Sequence, residues 1–276
     1  MKRLNIPLKN VEERTIYQEC ADDFQDKTAL GYIDKVVALS EKYEDFVPKN
    51  IEKLPKFEIK EGHDEIIKNV YAHKFARDGK VGRKYYDIIM ANANGRCPIC
   101  GGSKLKNLDH FLPQSEYPLL CVTPANLIPV CRDCNFDKGK YFNTNYYKLP
   151  FNPYFDDMVD TWLECTLNFI VDGTIEIEFR NGYDKSVDSN KWNKYETHLT
   201  VYDLGNTFSS KALEEIDNCK FRWQDLFLNC GKDDVLALLL ESKKSFERYD
   251  TNSWRSALYR ELVRKIDELS EWLANT

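Results

Sequence analysis

The chain has 276 residues, 42% of them hydrophobic, 13% aromatic and 30% charged, which suits a globular fold of one large or two modest domains. No apolar run approaches the ~18–20 residues of a membrane span, and the opening MKRLNIPLKNVEER lacks the apolar region of a secretory leader, so a membrane protein and an exported disulfide scaffold are excluded and a cytoplasmic location is expected. The net charge of −6 is uneven, with zero over residues 1–94, +3 over 95–150 and −9 over 151–276, so a polyanion would meet the middle of the chain.

Residues 1–93 read as mainly helical. ERTIYQECADDF (13–24) and ALGYIDKVVALSEKYEDFV (29–47) carry apolar residues at three-to-four spacing, and Pro48 and Pro55 mark a linker. Residues 70–93 hold Lys74, Arg77, Lys80, Arg83 and Lys84, interleaved with Tyr71, Phe75, Tyr85 and Tyr86. A basic, aromatic stretch of this kind can track a phosphate backbone. It is equally the pattern of a solvated helix whose tyrosines are core. Lys74, Arg77, Arg83 and Lys84 are the candidate nucleic-acid contacts here, with Lys140 further along.

Residues 94–150 carry the chemistry. Of nine cysteines, four form the pairs Cys97-Pro-Ile-Cys100 and Cys131-Arg-Asp-Cys134, separated by thirty residues. Two CxxC pairs at this spacing point to a tetrahedral structural zinc site that staples the intervening hairpin at its base. A redox CxxC would need one pair alone, in a βαβ setting. Cys20, Cys121, Cys165, Cys219 and Cys230 stand alone and are expected to be small buried hydrophobes.

Between and just after the pairs stand Asp109, His110, Asn126, Asn135, Lys138 and Lys140. A carboxylate from Asp109 and an amide oxygen from Asn135 are ligand types that suit Mg²⁺ or Mn²⁺. On a strand, His110 would point to the face opposite Asp109, placed to take a proton from a water attacking phosphorus. Asn126, expected on the second strand of the hairpin, could hydrogen-bond across to the loop holding His110. Lys138, on a helix after Asn135, would face the phosphate, or Lys140 would serve instead.

Residues 143–157 read as a loop. Strand-like runs at 162–172 and 174–180, joined by Asp172-Gly173, predict a hairpin. Helical patterning then returns at 211–230, 235–248 and 253–273, in an acidic region read as scaffold or partner-docking surface. His63, His73 and His198 have no partner at metal-ligand spacing and are expected on the surface or satisfied inside. The fold class is α+β: a mainly helical chain with a central zinc-stapled ββα module and a small β-hairpin region, divided 1–93, 94–150 and 151–276.

The string LDHFLPQSEYPLLCVTPANLIPVCRDCNFDKGK resembles the HNH, or ββα-metal, nucleases of the subgroup tied by a four-cysteine zinc site. The resemblance covers residues 95–140. It implies His110 as general base, Asp109 and Asn135 on a catalytic Mg²⁺ or Mn²⁺, Asn126 as the central Asn, and structural Zn²⁺ on the four cysteines. Asn135 stands where many members carry a final His, a variant also found in junction resolvases of the phage endonuclease VII type. The MKRLN start, GRKYYDIIMANANGRCPICGG and NSWRSALYRELV look like stand-alone HNH proteins of bacterial defence loci, where Septu-type and retron-associated systems pair such a nuclease with an ABC/AAA-like ATPase. The implied activity is hydrolysis of nucleic-acid phosphodiesters, with DNA favoured and RNA the alternative substrate. Two other readings are a zinc-ribbon binding module without catalysis and a protein-interaction adaptor. The chain carries no GxxxxGK[ST] loop, so ATP hydrolysis is not expected of it.

Overall fold

The computed structural model describes residues 3–170 and 173–275. Helices α1 (Glu13–Asp22) and α2 (Ile33–Phe46) form where the apolar spacing predicts them, and pack together through Ile16, Tyr17 and Cys20 on one and Val36, Leu39 and Tyr43 on the other. Helix α3 (His63–Val70) starts at Gly62, whose φ of +80° only glycine adopts without strain, and runs directly into a π-helical turn, Tyr71–Phe75. Helix α4 (Arg83–Ala91) follows Gly82. A Cβ on Gly82 would come within 2.6 Å of the Cys20 sulfur and 2.7 Å of the Phe75 Cα, so this crossing needs glycine.

Strands β1 (Asn107–His110) and β2 (Leu127–Val130) pair antiparallel, with Asp109 opposite Ile128 and His110 opposite Leu127, and α5 (Arg132–Lys138) leaves the end of β2. The order is ββα. Asn126 closes a short 3₁₀ turn (Pro124–Asn126) just before β2, not a strand position, its N–H donating to Thr123 O at 2.9 Å. Helix α4 packs on both strands, and α2 and α3 pack on the Pro118–Leu120 turn of the loop that joins them. The N-terminal helices and the cysteine-bracketed hairpin thus share one compact unit, Lys2–Asp157, with no unit boundary at 93/94.

The second compact unit begins at Met158. Strands β3 (Leu163–Phe169) and β4 (Ile175–Asn181) pair antiparallel and pack on α7 (Leu204–Cys230) and α9 (Trp254–Arg264). Gly173, at φ +86°, donates its N–H to Ile170 and helps close the hairpin, while Asp172 of the predicted turn lies outside the described residues. Helix α6 (Ser189–Val201), missed by the periodicity, is announced by its N-cap: the Asp188 carboxylate accepts from Asn190 N and Lys191 N. Helix α8 (Lys232–Tyr249) matches expectation. The single helix expected over 253–273 is two, α9 and α10 (Ile266–Asn275), broken at Lys265.

Cys20, Cys121 and Cys165 are buried as expected, but Cys219 is only partly covered and Cys230, in the last turn of α7, is exposed. Among the described residues no helix is long and apolar enough to cross a membrane. The architecture is α+β and mainly helical, with two two-stranded sheets.

Candidate active site

Four sulfurs gather at the base of the β1–β2 hairpin. The Sγ atoms of Cys97, Cys100, Cys131 and Cys134 all lie within 4.8 Å of one another and all four residues are buried. The Cys100 and Cys131 sulfurs are 4.0 Å apart, close to the ~3.8 Å edge of a tetrahedron whose centre is ~2.3 Å from each sulfur. Local structure makes both knuckles. Gly101, at φ +75°, donates its N–H to Cys97 O at 2.9 Å and turns the chain back on itself. Cys131 caps α5, its sulfur accepting from Cys134 N. The donor set and its geometry fit zinc. Among the described residues no other group of three or more His, Cys, Asp or Glu side chains converges in this way.

On β1, the neighbours Asp109 and His110 meet different surroundings. Asp109 faces α5, where Lys138 Nζ donates to Oδ1 at 3.1 Å, stands 2.9 Å from Oδ2, and donates to the His110 carbonyl at 2.8 Å. Both side chains are buried. Burial pushes the Asp109 carboxyl up despite the opposing pull of the Lys138 ammonium. Oδ2 is a buried atom as well, and its near neighbour is the Lys138 ammonium at 2.9 Å. Asn135, three residues before Lys138, lies on the same side of α5. A carboxylate oxygen and an amide oxygen are ligand types that Mg²⁺ or Mn²⁺ accepts, although here the carboxylate is held by the Lys138 ammonium.

His110 Nε2 lies 2.8 Å from the Cys121 carbonyl oxygen. A carbonyl only accepts, so Nε2 carries the proton and the lone pair of the neutral ring is on Nδ1. The Gln114 amide is 3.1 Å from the same nitrogen, and Tyr71, in the π-helical turn, packs its ring edge-on with centroids 4.5 Å apart. Desolvation, reinforced by the Lys138 charge, lowers the His110 pKa to about 4, so the ring is neutral at ordinary pH.

Asn126 is wholly buried. Its Oδ1 accepts from Leu112 N at 2.8 Å and from the Tyr43 hydroxyl at 2.9 Å, while Nδ2 donates to Leu112 O at 3.1 Å and Leu120 O at 3.4 Å. One amide therefore clamps the chain two residues after His110. The Cys121 carbonyl, Tyr71 and Tyr43 are partners that sequence reasoning missed. A backbone carbonyl leaves no trace in the residue type, Tyr43 reads only as an amphipathic-helix residue, and Tyr71 reads as part of the basic, aromatic stretch.

The basic residues expected at the surface of 70–93 have other company. Lys74 pairs with Asp23, Arg83 with Asp78 and Asp87, and Lys84 with Glu19. Phe75, Tyr85 and Tyr86 are buried, so they form core and not a stacking platform. Arg77 and Lys140 are exposed, as is His73. His63 bonds Tyr32, and His198 is buried against Trp162 and Tyr202 in the second unit.

No family model matches the chain, and no solved structure matches it. Protein ea31 of Escherichia phage lambda is 38% identical over 92 residues, 33% of this chain and 31% of that protein. Septu protein PtuB of Bacillus thuringiensis is 35% identical over 66 residues, 22% of this chain and 26% of that protein. The chain spans less than a third of the length of these curated relatives.

Proposed function

We propose that the chain is a metal-dependent endonuclease of the HNH type, hydrolysing nucleic-acid phosphodiester bonds, DNA by preference, in anti-phage defence. The observation that carries the nuclease reading is the His110 ring: its proton is fixed on Nε2 by the Cys121 carbonyl, beside a buried Asp109 carboxylate held by Lys138. Nδ1 of His110 takes the proton from the attacking water, and Asn126 holds the loop that aims it. Asp109 and Asn135 would hold Mg²⁺ or Mn²⁺, which supplies charge neutralisation at the scissile phosphate and the departing oxygen. Lys138 is positioned by Asp109 and turns its ammonium toward the substrate phosphate when that carboxylate takes a second partner. Cys97, Cys100, Cys131 and Cys134 hold zinc as a structural staple. Similarity to a Septu protein supports the defence role, with an ABC/AAA-like ATPase as the partner expected to supply grip on the nucleic acid.

A zinc ribbon used only for binding accounts for the cysteines but leaves the oriented His110 and the clamp of Asn126 without a task. The deciding assay uses purified, zinc-loaded protein on supercoiled DNA, linear DNA and total RNA, with Mg²⁺, Mn²⁺ or EDTA. Cleavage that needs the metal and falls ~10²–10⁴-fold in His110→Ala, with zinc content unchanged, is expected. Equal activity in His110→Ala would remove the imidazole from the mechanism. No cleavage of any substrate, even with the product of the neighbouring gene added, would leave the binding ribbon.

A further inference from the structure

The cations that sequence reading selected are mostly neutralised, whereas others it passed over line an open cavity of about 540 Å³ between the end of α1 and the start of α3. Lys27, Lys35, Lys60 and His63 form its walls together with Thr28 and one carboxylate, Asp26. We propose that this cavity is a phosphate subsite: it holds a backbone phosphate of the same nucleic-acid strand that His110 cuts, to one side of the cut. The proposal rests on the nuclease reading and names a second place where its substrate is held.

Charge is the first argument. Three ammonium groups against one carboxylate leave the cavity at +2. Among the described residues neither Lys35 nor Lys60 is ion-paired: Lys35 Nζ donates to the Glu58 carbonyl at 2.6 Å, and Lys60 has no carboxylate partner. Only Lys27 has one, Asp22, at 3.4 Å. Asp26 Oδ1 is engaged by Thr28 N at 2.8 Å. The acids in the first turn of α3, Asp64 and Glu65, are both answered by Lys68.

Donor chemistry is the second. Tyr32 Oη accepts the Lys60 N–H at 3.1 Å and lies 2.9 Å from His63 Nδ1. With the tyrosine hydrogen given to Nδ1, the ring presents Nε2–H as a further donor. Tyr32 itself is buried, so no aromatic face is offered to a base. Ammonium groups, an imidazole N–H and a hydroxyl, without a stacking surface, suit phosphate and not nucleobase.

Continuity is the third. His63 opens α3, and the helix runs without interruption into the π-helical turn whose Tyr71 packs on His110. Eight residues at ~1.5 Å each put the two ends of this rod ~12 Å apart, within reach of one extended strand.

The test is binding of a fluorescent single-stranded oligonucleotide across a KCl series, in full-length zinc-loaded protein carrying His110→Ala so that nothing is cut. Adding Lys35→Gln and Lys60→Gln is expected to weaken binding several-fold at low salt. It should also flatten the slope of log affinity against log salt by ~0.7, one phosphate's share on a single strand. Lys35→Arg with Lys60→Arg should restore the slope, and Lys243→Gln with Lys244→Gln in the second unit should leave it alone. Zinc content and circular dichroism report folding, and the single change Lys60→Gln, at an exposed side chain, substitutes if the double variant is unstable. A slope and affinity equal to the parent's would overturn the subsite while leaving the nuclease reading intact. Failure of the parent to bind any oligonucleotide, with no cleavage by the wild type, would overturn both.

Discussion

The two strand pairs are built on opposite terms. In β3–β4, seven residues per strand alternate: Leu163, Cys165, Leu167 and Phe179 face inward, and Glu164, Asn168, Glu176, Glu178 and Arg180 face water. That is the period-two pattern of a sheet covered on one face. In β1–β2, all of β2 and the middle of β1 are covered, yet the covered set includes the Asp109 carboxylate, answered by the buried Lys138 of α5. Each unit has a buried asparagine beside its strands. Asn252 accepts from Trp162 N and Leu163 N and donates to Asp160 O, fixing the start of β3, whereas Asn126 fixes the loop that follows His110. An apolar pair in place of Asp109 and Lys138 would be at least as stable. A polar pair buried against that alternative is what the proposed site at Asp109 asks of the fold.

The contrast breaks most visibly on metal removal. Structural zinc contributes about 10–16 kcal/mol in small zinc domains, so a strong chelator or Cys131→Ser is expected to unfold the unit Lys2–Asp157. All five tryptophans (162, 192, 223, 254 and 272) belong to the other unit. Far-ultraviolet circular dichroism should therefore fall while tryptophan emission stays native. Loss of both signals together would mean that the second unit depends on the first.

Lys138→Met comes next. It strands the Asp109 carboxylate in the interior, and removing one partner of such a pair costs about 3–5 kcal/mol. Chemical denaturation followed by circular dichroism should show that loss, and Asp109→Asn in the same chain should recover most of it. A Lys138→Met protein as stable as wild type would show that Asp109 reaches water or metal without the lysine.

Protonation of His110 gives a somewhat smaller effect. The folded ring titrates near 4 because it is desolvated, and an unfolded imidazole titrates near ~6.5. Between those values the unfolded chain binds more protons, so stability is full above ~6.5 and falls as pH drops toward 4, by up to ~3 kcal/mol. His110→Ala should lack this slope in denaturation midpoints measured from pH 7 to pH 4.

The same contrast explains what the residues disclosed in advance. The four cysteines were legible because ligand spacing is short-range and survives in one dimension. The β3–β4 pair was legible because a sheet covered on one face alternates. The division into units was not, because α4 packs on β1 and β2 through contacts that leave no mark in composition. Nor was the neutralisation of Lys74 and Lys84: Asp23 and Glu19 lie some fifty to sixty-five residues earlier, and charge counted along the chain cannot pair them. Lys35 and Lys60 escaped attention for the mirror-image reason, since 25 positions separate two lysines that fold into one cavity. The pattern reads Asn126 as a strand residue because its role is to reach across the hairpin; it does so from the turn, where its N–H closes on Thr123 O while its carbonyl accepts from Phe111 N just past β1.

The smallest effect tests the scaffold side of the comparison. Glu164 and Arg180 sit opposite each other on the outer face of β3–β4, 3.2 Å apart and more than half exposed. Solvent screens such a pair and both side chains lose rotamer freedom in making it, so Arg180→Ala should change stability by no more than ~0.5 kcal/mol. Tryptophan emission in a urea titration reads the unit that holds the pair. A loss well above 1 kcal/mol would show that the outer face of this hairpin carries more than solubility, and the division of labour between the two strand pairs would have to be redrawn.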